Sequence, residues 1–300
     1  MTKVPSANVS QEHERSFVAP MDPRTHFDPL VANRVLDKLS SVQCEIETDL
    51  SKDDPFVTPG LDSASVPSNA KVQLTRPMLS VVIPVFNERE SVLKIVKAVK
   101  ELPVTKQIII VDDGSTDGTQ AALLTIPQDG CVELFFHLVN QGKGAALQTG
   151  FRLAEGNIVI IQDADLEYDP RDIMKVIQPI VDGKATVVYG SRYLDDSSKN
   201  SSWVHRMGNA TLTGFSNWIT GQRLTDMETC YKAFRREVLQ NIQIEQQRFG
   251  FEPEITAKIS RLGIQIPEVP ISYQARSWSE GKKIGLRDLW NAIYCILRYR

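Results

Sequence analysis

Between Leu79 and Tyr189 the chain alternates short apolar, β-branched runs with amphipathic segments of helical period. The runs are Leu79–Val85, Ile108–Val111, Val132–Leu138, Ile158–Ile161 and Ala185–Tyr189. Helical patterns span Ser91–Glu101, Thr119–Leu124, Ala145–Ala154 and Pro170–Val181. Ile158–Ile161 sets four β-branched residues in succession with no polar alternation, as in a strand covered on both faces. Strand and helix taking turns with short connections predict an α/β fold with a doubly wound, mainly parallel sheet. Such sheets bind ligands in the crevice beyond the carboxyl ends of their strands. Four polar motifs fall at those ends: Asn87-Glu88, Asp112-Asp113, the loop Asn140–Gly144, and the acidic stretch Asp163-Ala164-Asp165-Leu166-Glu167.

The acidic stretch is the sharpest of the four. Two carboxylates one residue apart at a buried strand end would be costly if left unpaired. A divalent cation such as Mg²⁺ or Mn²⁺ resolves the conflict, because hard oxygen ligands suit it and its charge offsets their repulsion. An EF-hand is excluded, since the sixth and twelfth positions counted from Asp163 are Tyr168 and Met174 rather than Gly and an acid. An Asp-x-Asp phosphatase would carry its pair after the first core strand, with Thr or Val at the fifth place. Here three strand–loop units precede the pair and Glu167 stands fifth, which leaves that hydrolase a weak alternative. Asp112-Asp113 can accept hydrogen bonds from ribose hydroxyls or the N–H edge of a base, while capping alone gives no reason for two adjacent carboxylates. The Gly142-Lys143-Gly144 turn lacks both the Walker and the Rossmann glycine patterns, with Leu147 where a third Gly would stand. Lys143 near a phosphate is what remains of that motif.

The totals remove other classes. A net charge of -3 gives no electrostatic case for a nucleic-acid partner. Cys44, Cys131, Cys230 and Cys295 are far apart, which argues against a zinc site or a disulfide scaffold and suits a reducing, cytoplasmic setting. No apolar run reaches the ~18 residues of a membrane-spanning helix. Residues 1–76 are rich in Pro, Ser and Asp and read as a flexible, largely disordered extension, with one short helical pattern over Pro29–Gln43.

Four segments, in this order, resemble family 2 glycosyltransferases: Val82-Ile83-Pro84-Val85-Phe86-Asn87-Glu88, Val111 to Thr119, Asn140-Gln141-Gly142-Lys143-Gly144, and Asp163-Ala164-Asp165. Within that family the likeness is to dolichol-phosphate mannose synthases and bacterial polyprenyl-phosphate sugar transferases, and it runs from about Leu79 to Arg300. The resemblance implies a nucleotide-sugar-binding fold of the GT-A type, an inverting mechanism and Mg²⁺ or Mn²⁺ on the donor diphosphate. It implies transfer of mannose or glucose from GDP-mannose or UDP-glucose to a dolichyl or polyprenyl phosphate. The alternative within the family is a saccharide or other hydroxyl acceptor.

Position by position, the resemblance implies that Pro84, Phe86, Asn87 and Glu88 line the nucleotide pocket and that Asp112 or Asp113 holds base and ribose. Asp163, Asp165 and Glu167 would hold the metal, although many relatives carry Gln at the last place. Arg192, in Gly190-Ser191-Arg192-Tyr193, faces the phosphates, with Arg206 a second contact. Asp226 to Phe234 resembles a family segment in which Gly stands where this chain has Cys230. Phe249 to Glu254 resembles an acceptor-side segment, and also reads as a helix N-terminus, where Glu suits the dipole. Arg276, Lys282 and Lys283 match a cationic loop that closes over the diphosphate. A lipid-phosphate acceptor is already anionic; a hydroxyl would need a carboxylate such as Asp226 or Glu252 as base.

Leu286, Leu289, Trp290, Ile293, Tyr294 and Leu297 recur at helical spacing near Arg287, Arg298 and Arg300. From Ile271 to Arg300, six Lys/Arg face two acids (Glu280 and Asp288), a net +4 in a chain of -3. Such a segment suits peripheral contact with an anionic membrane surface, and equally a last helix packed on its own domain. The expected organisation is therefore an extension over 1–76, a catalytic domain over 77–285 and an amphipathic helix over 286–300.

Overall fold

The computed structural model describes residues 78–127, 129–194, 203–275 and 286–300, with the backbone alone for 203–205 and 286–288. The expected extension, the Pro29–Gln43 helix, and Arg276, Lys282 and Lys283 lie outside the described residues.

The strands are β1 (Leu79–Val85), β2 (Lys106–Asp112), β3 (Val132–Phe136), β4 (Ile158–Ile161), β5 (Val187–Ser191), β6 (Lys232–Arg235) and β7 (Glu268–Pro270). The helices are α1 (Val92–Lys100), α2 (Thr119–Leu123), α3 (Lys143–Leu153), α4 (Ile173–Val181), α5 (Trp203–Thr220), α6 (Arg236–Gln240), α7 (Phe251–Arg261) and α8 (Leu286–Tyr299). One seven-stranded sheet runs in the order β3-β2-β1-β4-β6-β5-β7. The strands β3, β2, β1 and β4 are mutually parallel, β5 and β7 are parallel, and β6 alone runs against its neighbours β4 and β5. The doubly wound, mainly parallel sheet is thus observed, and its one reversed strand lies in the second half of the chain.

The apolar runs form strands because both faces of the sheet are covered. Ile108, Ile109, Ile110 and Val111 are fully buried, as are Val159 and Ile160. Burial of each such side chain contributes about 1.5–3 kcal/mol. Helix α1 buries Val92, Ile95, Val96 and Val99, an i, i+3, i+4, i+7 stripe. The segment after Pro170 is a 3₁₀ turn over Pro170–Asp172, capped by the Asp169 carboxylate accepting from Arg171 N, before α4 begins. From β1 the chain winds to β2 and β3 on one side and then returns to β4 on the other. The carboxyl ends of β1 and β4 therefore flank the topological switch point, where an open α/β sheet leaves a crevice.

Candidate active site

A cleft of about 280 Å³ opens at that switch point. Pro84, Val85, Phe86 and Glu88 enter it from the end of β1, Asp113 from β2, and Asn140, Gly142, Lys143 and Ala146 from the loop opening α3. Asp163, Ala164 and Asp165 come from the end of β4, and Arg248 and Phe249 from the second half of the chain. The four strand-end motifs of the sequence therefore share one cavity.

Within the motifs the labour is divided. Asn87 points away from the cavity: its Oδ1 accepts from Thr116 N at 2.8 Å and its N–H donates to Ser115 Oγ at 2.9 Å, tying two strand-end loops together. Asp112, fully buried, accepts from Ser115 N at 3.0 Å and Gln120 Nε2 at 2.7 Å, and so shapes the Gly114 turn behind the cavity. Asp113 faces the cavity and holds the next loop, accepting from Gln141 N at 3.0 Å and Gly142 N at 2.6 Å. Its other partner is His137 Nδ1 at 2.7 Å, a residue the sequence motifs did not mark.

Lys143 lies largely covered between two carboxylates, with Nζ 3.1 Å from Asp163 Oδ1 and 3.0 Å from Glu252 Oε1. Burial alone would lower its pKa, but Asp163 and Glu252 outweigh it and raise it well above the ordinary lysine value. The glycines beside it are obligatory. Gly142 sits at φ +106, and a Cβ on Gly144 would run into the Gln246 carbonyl and come within 2.9 Å of the Gln247 carbonyl carbon. Cys230, where the family motif has Gly, is buried beside Asp163. Burial, then the Asp163 charge, pushes its thiol pKa well up.

The acidic loop turns sharply, with Leu166 at φ +62 and 44% exposed. This turn sends Glu167 to a neighbouring pocket of about 490 Å³ lined also by Tyr168, Asp169, Ser272 and Tyr273. There the Glu167 carboxylate accepts from Tyr273 Oη at 3.0 Å. Among the described residues no group of three or more His, Cys, Asp or Glu side chains forms a closed metal cage. Asp163 and Asp165 are two hard donors open to a cavity of diphosphate size, which fits an ion of the Mg²⁺ type that completes its shell from phosphate and water.

Arg192 and Asp226, expected as a phosphate contact and a base, bind each other. Asp226 accepts from Arg192 Nε at 2.7 Å, Nη2 at 2.7 Å and the backbone N at 3.1 Å, and is itself fully buried. Glu252 lies in the first turn of α7, so the acceptor-like segment is also a helix N-terminus. Arg206 is exposed on α5, its guanidinium 5.9 Å from the Tyr193 ring centroid. Lys232 is a buried cation of β6, donating to the carbonyls of Met227 (2.8 Å) and Thr229 and lying 4.4 Å from the Tyr189 ring centroid. Burial pulls its pKa down and pushes that of the nearby Glu228 up.

Helix α8 presents two faces. Ala292, Cys295, Ile296 and Tyr299 are buried, whereas Trp290, Tyr294 and Leu297 are exposed. Among the described residues no helix is long and apolar enough to cross a membrane.

A doubly wound sheet with an acid pair and a cleft at its switch point defines an α/β protein with a ligand-sized crevice where such sheets bind their ligands. Residues 80–243 match the family described as "Glycosyl transferase family 2". The chain is 31% identical over 214 residues to a polyprenol monophosphomannose synthase of Mycolicibacterium smegmatis, covering 68% of this chain and 80% of that protein. It is 30% identical over 213 residues to an undecaprenyl-phosphate mannosyltransferase of Micrococcus luteus, covering 68% of this chain and 86% of the relative. Its fold is similar to glucosyl-3-phosphoglycerate synthase from Mycobacterium tuberculosis, solved with Mn²⁺, UDP and phosphoglyceric acid, at TM-score 0.54 and 19% identity over 74% of this chain and 78% of that one. The chain belongs to glycosyl transferase family 2, and its sheet is of the GT-A type.

Proposed function

We propose that this glycosyltransferase moves mannose or glucose, with inversion, from GDP-mannose or UDP-glucose to a polyprenyl or dolichyl phosphate. The observation that carries the reading is the meeting of Phe86, Glu88, Asp113, Asn140, Lys143, Asp163 and Asp165 in one cleft. The acceptor class is supported by relatives of 30–31% identity whose names specify polyprenyl-phosphate acceptors.

In the proposed reaction an oxygen of the acceptor phosphate attacks the anomeric carbon while the bond from that carbon to the donor diphosphate breaks. Negative charge then grows on the leaving group, so cationic and hydrogen-bonding partners there lower the barrier. Asp163 and Asp165 would hold a Mg²⁺ or Mn²⁺ ion, which supplies Lewis-acid neutralisation of that charge. Asp113 keeps the Gln141–Gly142 backbone closed against the nucleoside end of the cleft. Lys143 holds Asp163 and Glu252 in register. The acceptor phosphate needs no base, and the burial of Asp226 against Arg192 supports an acceptor of that kind over a hydroxyl. The exposed Trp290, Tyr294 and Leu297 of α8, with the exposed Arg298, form the surface for peripheral contact with an anionic, cytoplasm-facing membrane.

The test is incubation of the protein with labelled GDP-mannose or UDP-glucose, divalent cation and polyprenyl phosphate, followed by organic extraction. Label in the organic phase is the expected result. Label confined to a water-soluble product would move the assignment to a hydroxyl acceptor, and no transfer from either donor would sink the reading.

A further inference from the structure

Two cations line the donor cleft among the described residues, and their situations differ. Lys143 is largely covered and bound to Asp163 and Glu252. Arg248 is exposed, lines the same cleft, and its guanidinium has no ion pair or hydrogen bond among the described residues. It faces a cavity to which Glu88, Asp113, Asp163 and Asp165 contribute four carboxyl groups.

The backbone that presents Arg248 is held from three sides. The N–H groups of Glu245 and Gln246 donate to the buried Glu254 carboxylate at 2.7 and 2.8 Å, and Lys258 Nζ bridges Glu254 at 2.6 Å and Glu245 at 2.9 Å. Gln247 O accepts from Ala145 N at 3.1 Å, the close approach that excludes side chains at Gly142 and Gly144. Gln246 Nε2 donates to Tyr299 Oη of α8 at 3.1 Å. A backbone fixed in this way holds its side chain over the cleft at small entropic cost. An unpaired guanidinium at the rim of an acidic cleft has two stable partners, a carboxylate of the wall or an anion entering it. Phosphate oxygens match its planar fork of donors.

We infer that Arg248 is a donor-binding residue that binds the phosphates of the nucleoside-diphosphate donor from the 245–249 strap. The assignment rests on the reading of the cleft as the donor site. Arg248 would add a phosphate contact to the one expected at Arg192, whose Nε and Nη2 bind Asp226.

Calorimetric titration of the wild-type, Arg248→Ala and Arg248→Lys proteins with GDP, UDP, their monophosphates and the free nucleosides, in Mn²⁺, tests the inference. For whichever diphosphate the wild type binds, Arg248→Ala weakens affinity roughly tenfold, as expected for loss of one charge-assisted hydrogen-bonded contact. Affinity for the matching nucleoside changes less than about twofold, Arg248→Lys recovers part of the loss, and the melting temperature is unchanged because the side chain is exposed. Unchanged diphosphate affinity in Arg248→Ala, or an equal loss for diphosphate and nucleoside, overturns the assignment of Arg248 alone. A wild-type protein that binds neither diphosphate overturns the donor site and the inference together.

Discussion

The Arg192–Asp226 pair sets a sharp quantitative test, because sequence and structure give Asp226 different work. As a general base, Asp226 could be changed to Asn or Ala with loss of turnover and little effect on stability. The structure instead makes it the anchor of a buried ion pair, accepting three hydrogen bonds from Arg192 at 2.7–3.1 Å with no exposed surface of its own. Removing one member of such a pair strands the other charge and costs about 3–5 kcal/mol. At roughly 2–4 °C per kcal/mol for a domain of this size, Asp226→Ala should melt about 6–20 °C below wild type. Asp226→Asn keeps the shape and some hydrogen bonding and should fall less, by about 1.5–3 kcal/mol. The double variant Arg192→Met/Asp226→Leu removes both charges together and should lie well above the sum of the single losses, since an apolar pair of similar volume replaces an ion pair at little net cost. Calorimetric melting of these proteins, together with the single variants Arg192→Met and Asp226→Leu, measures every term. An Asp226→Ala protein within about 2 °C of wild type, or a strictly additive double variant, would refute the argument.

Three further outcomes are expected. Gly144→Ala drives a methyl into the Gln246 carbonyl, so the strap must move; about 1–3 kcal/mol of stability should be lost, read by urea unfolding, with weaker diphosphate binding. Asp165→Asn should abolish transfer and remove the thermal stabilisation by Mn²⁺ with diphosphate that is expected of the wild type, and retained activity would refute the metal role of the acid pair. Trp290→Glu/Tyr294→Glu should reduce flotation with vesicles containing anionic lipid while leaving the melting temperature near wild type, because both side chains are exposed; undiminished flotation removes α8 from the membrane contact.

What the sequence carried and what it hid follow from where charge is buried. Strands β1, β2 and β4 announce themselves because a strand covered on both faces reads as a continuous, β-branched-rich apolar run. β5 was expected to end at Tyr189 but reaches Ser191, since Gly190 and Ser191 continue its pairing with β7. β6 reads Lys-Ala-Phe-Arg, flanked by charges, and conceals that Lys232 is fully buried and satisfied by two carbonyls and an aromatic face. A buried lysine looks like a surface lysine until its partners are placed. The reversed strand was hidden for the same reason. Strand-end motifs were legible because their spacing to the strands is local. The partners of Arg192 and Lys143 lie 20 residues or more along the chain, at Asp226 for the first and at Asp163 and Glu252 for the second, so the sequence offered roles for these side chains without showing which were already taken. Arg248 carried no motif and differs from a surface arginine only in what it faces.

The acid pair itself explains why the two halves of the chain form one site. Asp163 and Asp165 repel each other at a strand end, and Lys143 offsets that repulsion through Asp163. Lys143 can be largely covered only because Glu252, on α7, adds a second counter-charge. Its backbone can approach α7 only because Gly142 and Gly144 admit the Gln246–Gln247 carbonyls, and Glu254 and Lys258 fix those carbonyls in turn. The glycine-lysine-glycine loop therefore contributes less as a phosphate cradle than as the joint between the strand-end half of the cleft and the segment 245–254. It follows that Lys143→Met should loosen both carboxylates at once, and that Glu252→Gln, which leaves Asp163 and Asp165 untouched, should still weaken diphosphate binding through Lys143, as read by calorimetric titration.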